Sequence, residues 1–313
     1  MTTEAQVNHI LRTYFIKASC KKVFKTKDLL LISFSLKEDG KINDLVKFKN
    51  EISLMLGEKH EPTISKNEKD KTILFSYLSE NRTVIKFEKI YPQKPEYMKF
   101  YLGQSYTGQD ISFFMHECPH ILLGGTTGSG KTVLIKTMLK NIERLGTVGK
   151  DYYTIIVDPK RYEFLNNKNH DVVFTYQEAI ESIDYLLSIM EERFKSLKTA
   201  HHPYMFKPCF LIIDELSDLL MQDVSSKLKT KLCLLAQKCR SADIFIIAGT
   251  QRPSASIVSG NIKANFPARI SCKTASHIDS KIILDESGAE KLLGKGDAIL
   301  KINGRKERFQ VAI

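Results

Sequence analysis

Between Gly125 and Thr132 the chain reads Gly-Thr-Thr-Gly-Ser-Gly-Lys-Thr, with Gly125 and Gly130 framing four positions ahead of Lys131 and Thr132. Residues of these types at this spacing suit the cradling of a nucleoside triphosphate. Gly125, Gly128 and Gly130 let the backbone curl, so that N–H groups from Thr126, Thr127 and Ser129 onward can converge on phosphate oxygens. Lys131 is placed to reach the β- and γ-phosphates, and Thr132 to offer its hydroxyl to Mg²⁺. Such a loop needs a second, acidic element, and Phe210-Leu-Ile-Ile-Asp214-Glu215 supplies it. Asp214 would hold the Mg²⁺ shell, while Glu215 would orient and deprotonate the attacking water. Gln251, in Gly249-Thr-Gln-Arg-Pro253 directly after an apolar run, is placed to sense the γ-phosphate.

These residues need strands and helices to hold them. Ile121 to Leu123 reads as a strand entering the glycines, and Lys131 to Leu145 as a helix leaving them, the order that a phosphate loop requires. Further strands are expected at Tyr153 to Val157, Phe210 to Ile213, Ile244 to Ala248 and Arg269 to Cys272. Helices are expected at Gln177 to Leu197, Ser226 to Arg240 and Ile278 to Asp285. Alternation of this kind predicts an α/β fold with a mostly parallel sheet covered on both faces. Ala298 to Ile302 and Arg308 to Ala312, joined through Asn303-Gly304, read as a closing hairpin.

Residues 1 to about 100 read as a separate small α+β domain, with 101–313 as the nucleotide-handling domain. Val7, Ile10, Leu11, Tyr14 and Ala18 recur at helical spacing, Leu29 to Leu36 looks like a strand, and Ile42 to Leu56 looks like one amphipathic helix. Thr72 to Leu78 and Thr83 to Phe87 are expected as two strands joined around Ser79 to Arg82, with Pro92 and Pro95 marking the domain's end.

With 313 residues there is ample length for two buried cores, and the longest apolar runs are far short of a membrane span. A soluble, cytosolic protein with its six cysteines reduced is expected, since none forms a C-x-x-C pair. His116, Cys118 and His120 alternate along a strand-like run without a fourth ligand, which argues against zinc there. The 47 basic residues against 36 acidic ones give a net charge of +11, which favours a polyanionic partner, nucleic acid first.

The ordered set from Gly124 to Thr132 through Asp158-Pro-Lys-Arg161, Asp214-Glu-Leu-Ser-Asp218, Gln237-Lys-Cys-Arg240 and Gly249-Thr-Gln-Arg-Pro253 resembles the FtsK/SpoIIIE family of DNA-translocating ATPases. Matches continue through Ile262 to Arg269, Ser287 to Gly294 and Gly296-Asp297, and the first hundred residues resemble, more loosely, the small domain preceding the motor in that family. The resemblance implies a RecA-like P-loop core that hydrolyses ATP with Mg²⁺, and a homo-oligomeric ring, usually a hexamer, threading double-stranded DNA. Arg240 matches the finger that reaches a neighbour's nucleotide, worth roughly 10³ to 10⁵ in rate. Arg252, Ser254 and Lys263 fall in or beside the segment that would face the DNA channel.

Departures from the family pattern refine the expectation. His277 stands where relatives often carry Lys or Arg. The residues read here include neither the membrane segment nor the winged-helix domain found in some relatives, so DNA would be gripped through its backbone. Neutralising about six phosphates would then cost roughly 10³-fold in affinity between 50 and 200 mM salt. Such a motor suits plasmid or conjugative transfer, segregation, or viral genome packaging, with a membrane or packaging partner supplied separately. Two other classes share the loop, a protein-secretion ATPase and a nucleotide-gated assembly factor. Secretion motors join several ATPase modules, whereas a single module here keeps every catalytic element.

Overall fold

A computed structural model describes residues 2–59, 61–67, 71–79, 82–196 and 206–313. The chain divides into two units, Met1–Val84 and Ile85–Ile313. The division falls before the expected boundary near residue 100, because Phe87, Ile90, Tyr101 and Ala312 share one apolar cluster. Main-chain bonds reinforce it, the Phe87 N–H donating to Ile313 and the Ile313 N–H to Ile85.

In the first unit, α1 (Thr3–Thr13) is capped by the Thr2 hydroxyl, which accepts the Ala5 N–H, and buries Val7, Ile10 and Leu11. It ends before Ala18, which instead opens β1 (Ala18–Lys25). β2 (Leu29–Leu36) follows, then α2 (Ile42–Lys47) and α3 (Lys49–Met55), so the single helix expected over 42–56 is interrupted at Phe48, where ψ turns to 17°. β3 (Thr63–Asn67) and β4 (Thr72–Leu78) complete an antiparallel sheet in the order β1-β2-β4-β3. Its core is built on Phe34, Phe75, Ile32, Leu45 and Ile52. The strand expected at Thr83 to Phe87 does not form; Phe87 opens the one-turn helix α4 (Phe87–Ile90). Residues 80 and 81 of the expected turn, and Leu197 at the end of an expected helix, lie outside the described residues.

The second unit is a ten-stranded sheet. Its strands are β5 (Lys99–Ser105), β6 (Asp110–Phe114), β7 (His120–Gly124), β8 (Tyr153–Val157), β9 (Asp171–Val173), β10 (Cys209–Ile213), β11 (Ile244–Thr250), β12 (Ala268–Cys272), β13 (Asp297–Ile302) and β14 (Arg305–Val311). Their order is β6-β5-β14-β13-β12-β7-β11-β10-β8-β9. From β12 to β9 every pairing is parallel, and the other four strands add antiparallel pairs at one side. The helices are α5 (Lys131–Glu143), α6 (Tyr176–Ser196), α7 (Leu216–Gln222), α8 (Lys227–Lys238), α9 (Gly260–Asn265) and α10 (His277–Leu284).

Both faces of the parallel strands are covered, which is why β7, β10 and β11 are apolar without alternation. Along β10, Cys209, Leu211 and Ile213 join the core with α6 and α8, while Phe210 and Ile212 point into the opposite core with α5. The closing hairpin forms as expected, with Asn303 and Gly304 both at positive φ (48° and 76°), as its two-residue turn demands.

Candidate active site

β11 lies between the strand that leads into the glycines and the strand that ends in the acids, so all three carboxyl ends open on one edge. In an open parallel sheet that edge is where ligands bind. There the loop from Gly125 to Gly130 passes from β7 into α5, with Gly125, Gly128 and Gly130 at φ of 154°, 74° and 109°. Gly130 is held by packing as well as torsion: a Cβ there would stand 2.4 Å from the Gly296 nitrogen, and the Gly296 N–H donates to the Ser129 carbonyl. The loop therefore rests on the start of the closing hairpin.

Lys131 is 2% exposed and donates to the Asp214 carbonyl at 2.5 Å and to Asp214 Oδ1 at 2.9 Å. This ion pair crosses β11 at Gly249, where a Cβ would stand 2.6 Å from the Asp214 carbonyl oxygen and 3.1 Å from Lys131 Nζ. The other Asp214 oxygen, Oδ2, is buried without a hydrogen-bond partner. A buried carboxylate oxygen left open fits a hard divalent cation, and Thr132 lines a cleft together with Lys131, the partner of Asp214. The cleft measures about 350 Å³ and is lined by Thr126, Gly128, Lys131, Thr132 and Gln251, a volume in the range of small-ligand sites.

Glu215 is 1% exposed, and three donors make four contacts with its carboxylate. Oε1 takes the Ser217 hydroxyl at 2.5 Å and the Gln251 N–H at 3.0 Å. Oε2 takes the same N–H at 3.0 Å and Lys160 Nζ at 3.1 Å. Burial disfavours the charged form, but the Ser217 hydroxyl, the Lys131 charge, the Gln251 amide and Lys160 outweigh it, holding the carboxyl below the usual range. The Gln251 side chain reaches back to the loop, its Oε1 accepting the Thr127 hydroxyl at 3.0 Å. Lys131, Asp214, Glu215 and Gln251 thus form one connected group with the phosphate loop.

The remaining expected residues lie elsewhere. Arg240 is exposed on the turn Cys239–Ala242, just before β11. That is the amino edge of the sheet, roughly 20 Å along the strand from the phosphate loop at its carboxyl edge. Arg252 follows Gln251 and is exposed. Ser254 holds a turn, its hydroxyl 2.9 Å from that of Ser256 and accepting the Ile257 N–H. Lys263 is committed to Asp285 at 2.8 Å, a carboxylate it shares with Arg269. His277 opens α10 after a capping box formed by Ser276 and Asp279. Of the alternating trio, His120 accepts the Ile246 N–H through Nδ1 and Cys118 faces Asn303. Among the described residues no group of three or more His, Cys, Asp and Glu could hold a metal, and no helix is long and apolar enough to cross a membrane.

Lys160, within Asp158-Pro-Lys-Arg161, is a site residue whose contact with Glu215 its type and spacing do not announce. The signal available for it was positional: the segment follows β8, which pairs with β10 in parallel and so ends at the same edge as Glu215.

Residues 86–202 match the model of the FtsK/SpoIIIE family. The chain is 35% identical over 221 residues to DNA translocase FtsK of Borreliella burgdorferi, an alignment covering 64% of this chain and 28% of that protein. It therefore spans about a quarter of the length of the curated relatives it matches. Among solved structures, the pCW3 conjugation coupling protein TcpA, in monomer form with ATPγS, superposes with a TM-score of 0.70 at 21% identity, covering 99% of this chain and 94% of that one. The cytoplasmic domain of the type VII secretion ATPase EccC from Thermomonospora curvata gives a TM-score of 0.60 at 20% identity, over 74% of this chain and 30% of that one. Likeness at these identities reports the fold, a P-loop ATPase core, while the residues matched by the family model and the translocase relatives report descent. Residues 86–202 of the second unit thus carry an FtsK/SpoIIIE family domain.

Proposed function

We propose that this chain is an ATP-driven motor for double-stranded DNA, acting in the cytoplasm as a homo-oligomeric ring. The observation that carries the reading is the path from Glu215 to the Gln251 main chain and on to Arg252 and Ser254. The residue proposed to activate water is bonded to the segment proposed to touch DNA. In this reading the glycine loop and Lys131 bind the triphosphate, Thr132 and Asp214 hold Mg²⁺, and Glu215 takes the proton of the attacking water. Mg²⁺ held there would supply neutralisation of the triphosphate's charge. Gln251, tied to Thr127 on one side and Glu215 on the other, passes the γ-phosphate's presence or loss to Arg252.

Arg240 completes the site of the next subunit. Its own phosphate loop is at the other edge of the sheet, so it can meet a nucleotide only across a head-to-tail interface. Lys263 contributes to DNA binding only once its pair with Asp285 opens, which leaves Arg252 as the readier phosphate contact.

ATP turnover measured with and without long duplex DNA tests the proposal. Stimulation by DNA, lost at high salt, is expected. Turnover that ignores DNA but rises with an added secretion-substrate polypeptide would place the chain among export motors instead.

A further inference from the structure

Three donors crowd the Glu215 carboxylate, the Ser217 hydroxyl on Oε1, Lys160 on Oε2 and the Gln251 N–H shared between both, so a water approaching Oε2 meets an oxygen already held by an ammonium. The donors differ in how readily they can leave. The Gln251 N–H is main chain at the end of a fully buried strand, and Ser217 is 0% exposed on α7. Lys160 reaches in on a flexible side chain that is 33% exposed. Of the four contacts, the one from Lys160 is made by a long, partly exposed side chain that can swing out into solvent, whereas the Ser217 hydroxyl is fully buried and the Gln251 N–H is fixed in the main chain.

The segment carrying Lys160 is built to present it. Asp158 directly follows β8 and is fully buried, and its Oδ2 accepts the N–H groups of Tyr162 at 3.1 Å and Phe164 at 3.0 Å. The Arg161 N–H closes back on the Asp158 carbonyl, and Arg161 adopts φ 54° with its guanidinium over the Phe174 ring. A closed turn, anchored by a buried carboxylate, thus aims an ammonium at the buried base.

We propose that Lys160 is a positioning residue that latches Glu215, occupying the lone pair the attacking water needs until a phosphate oxygen draws the ammonium away. This rests on the reading of Glu215 as the water-activating residue. The competing phosphate can come from the nucleotide or from duplex DNA, and both present the same anionic oxygens to Lys160.

The latch can be read without turnover. Brief acetylation of lysines in the full chain, quantified by peptide mass spectrometry, should find Lys160 protected in the free protein and labelled about fivefold or more faster in Glu215→Gln, as expected for loss of a charge-assisted bond. Adding a non-hydrolysable ATP analogue, and then duplex, identifies which phosphate releases it. In turnover assays, Lys160→Met should raise DNA-independent ATP hydrolysis about tenfold with KM unchanged, shrinking the stimulation by DNA, whereas Lys160→Arg should keep the low basal rate. Equal labelling in wild type and Glu215→Gln would overturn the latch, as would a basal rate in Lys160→Met that is unchanged or lower while the wild type hydrolyses ATP. A wild type that hydrolyses no ATP would instead defeat the assignment of function, and the latch would then be judged on the labelling alone.

Discussion

The main-chain N–H of Gln251 donates to both oxygens of the Glu215 carboxylate, at 3.0 Å each, so the end of β11 and the end of β10 are joined at a buried acid of the site. The join fixes the orientation of Glu215 independently of any ligand. Replacing Glu215 with glutamine keeps its size and an acceptor oxygen while removing its ability to take a proton. Turnover should fall about 10² to 10⁴-fold, the usual worth of a general base, while binding of an ATP analogue persists. Equilibrium binding and multiple-turnover kinetics on the same preparation check this; retained turnover would remove Glu215 from its role.

Lys131 contributes to the fold as well as to phosphate binding. Its ion pair with Asp214 is 2% and 1% exposed on the two sides, and removing the cation leaves a buried carboxylate uncompensated. Lys131→Ala should therefore destabilise the free protein by about 3–5 kcal/mol in addition to weakening ATP binding. Urea denaturation without nucleotide measures the first effect. A stability within about 0.5 kcal/mol of wild type would mean that Asp214 relaxes to solvent when its partner is lost.

His120 gives the fold a pH dependence in a defined window. Burial pushes its pKa down from 6.5 to about 4, with the charge of Arg240 acting in the same direction against two main-chain hydrogen bonds. The unfolded chain therefore takes up a proton near pH 6.5 that the folded chain refuses until about pH 4. This contribution to stability is complete above the unfolded value and is lost as pH falls through the window, by about 3 kcal/mol in all. His120→Leu gives up the acceptor for the Ile246 N–H and should be less stable at pH 7, but its stability should change less between pH 6.5 and 4. Denaturation curves for both proteins across that range decide the point, since parallel pH dependences would exclude His120 as the cause.

The contrast between what sequence foretold and what it did not follows the range of the interactions. β7, β10 and β11 were legible because strands covered on both faces are continuously apolar, and the phosphate loop because torsion and charge act within eight residues. β1 was not, since Ser-Cys-Lys-Lys-Val-Phe-Lys carries exposed lysines and a bulge between Cys20 and Lys22 that breaks the alternation. β5 is paired by β14, from the far end of the unit, and no local pattern announces such a partner. The same limit applied within the site. That Asp214 and Glu215 sit at a strand end could be read directly, but Lys160 on Glu215 and Lys263 on Asp285 are pairings set by topology, and they change what each lysine is free to do.

Arg240 offers the sharpest test of assembly, because the sheet places it at the edge opposite its own phosphate loop. Alone, Arg240→Ala should bind ATP normally and lose about 10³ to 10⁵ in turnover if the guanidinium serves as a finger. The same loss would follow from damage within the subunit, so mixing is the decisive step. Glu215→Gln subunits lack the base but carry Arg240, and Arg240→Ala subunits carry the base. In mixed rings, roughly a quarter of head-to-tail interfaces would pair an intact base with an intact arginine, and turnover should reappear in proportion. Each variant by itself stays inactive, so recovered hydrolysis on mixing requires a site made by two subunits. No recovery, from subunits shown to co-assemble, would return Arg240 to an intramolecular role.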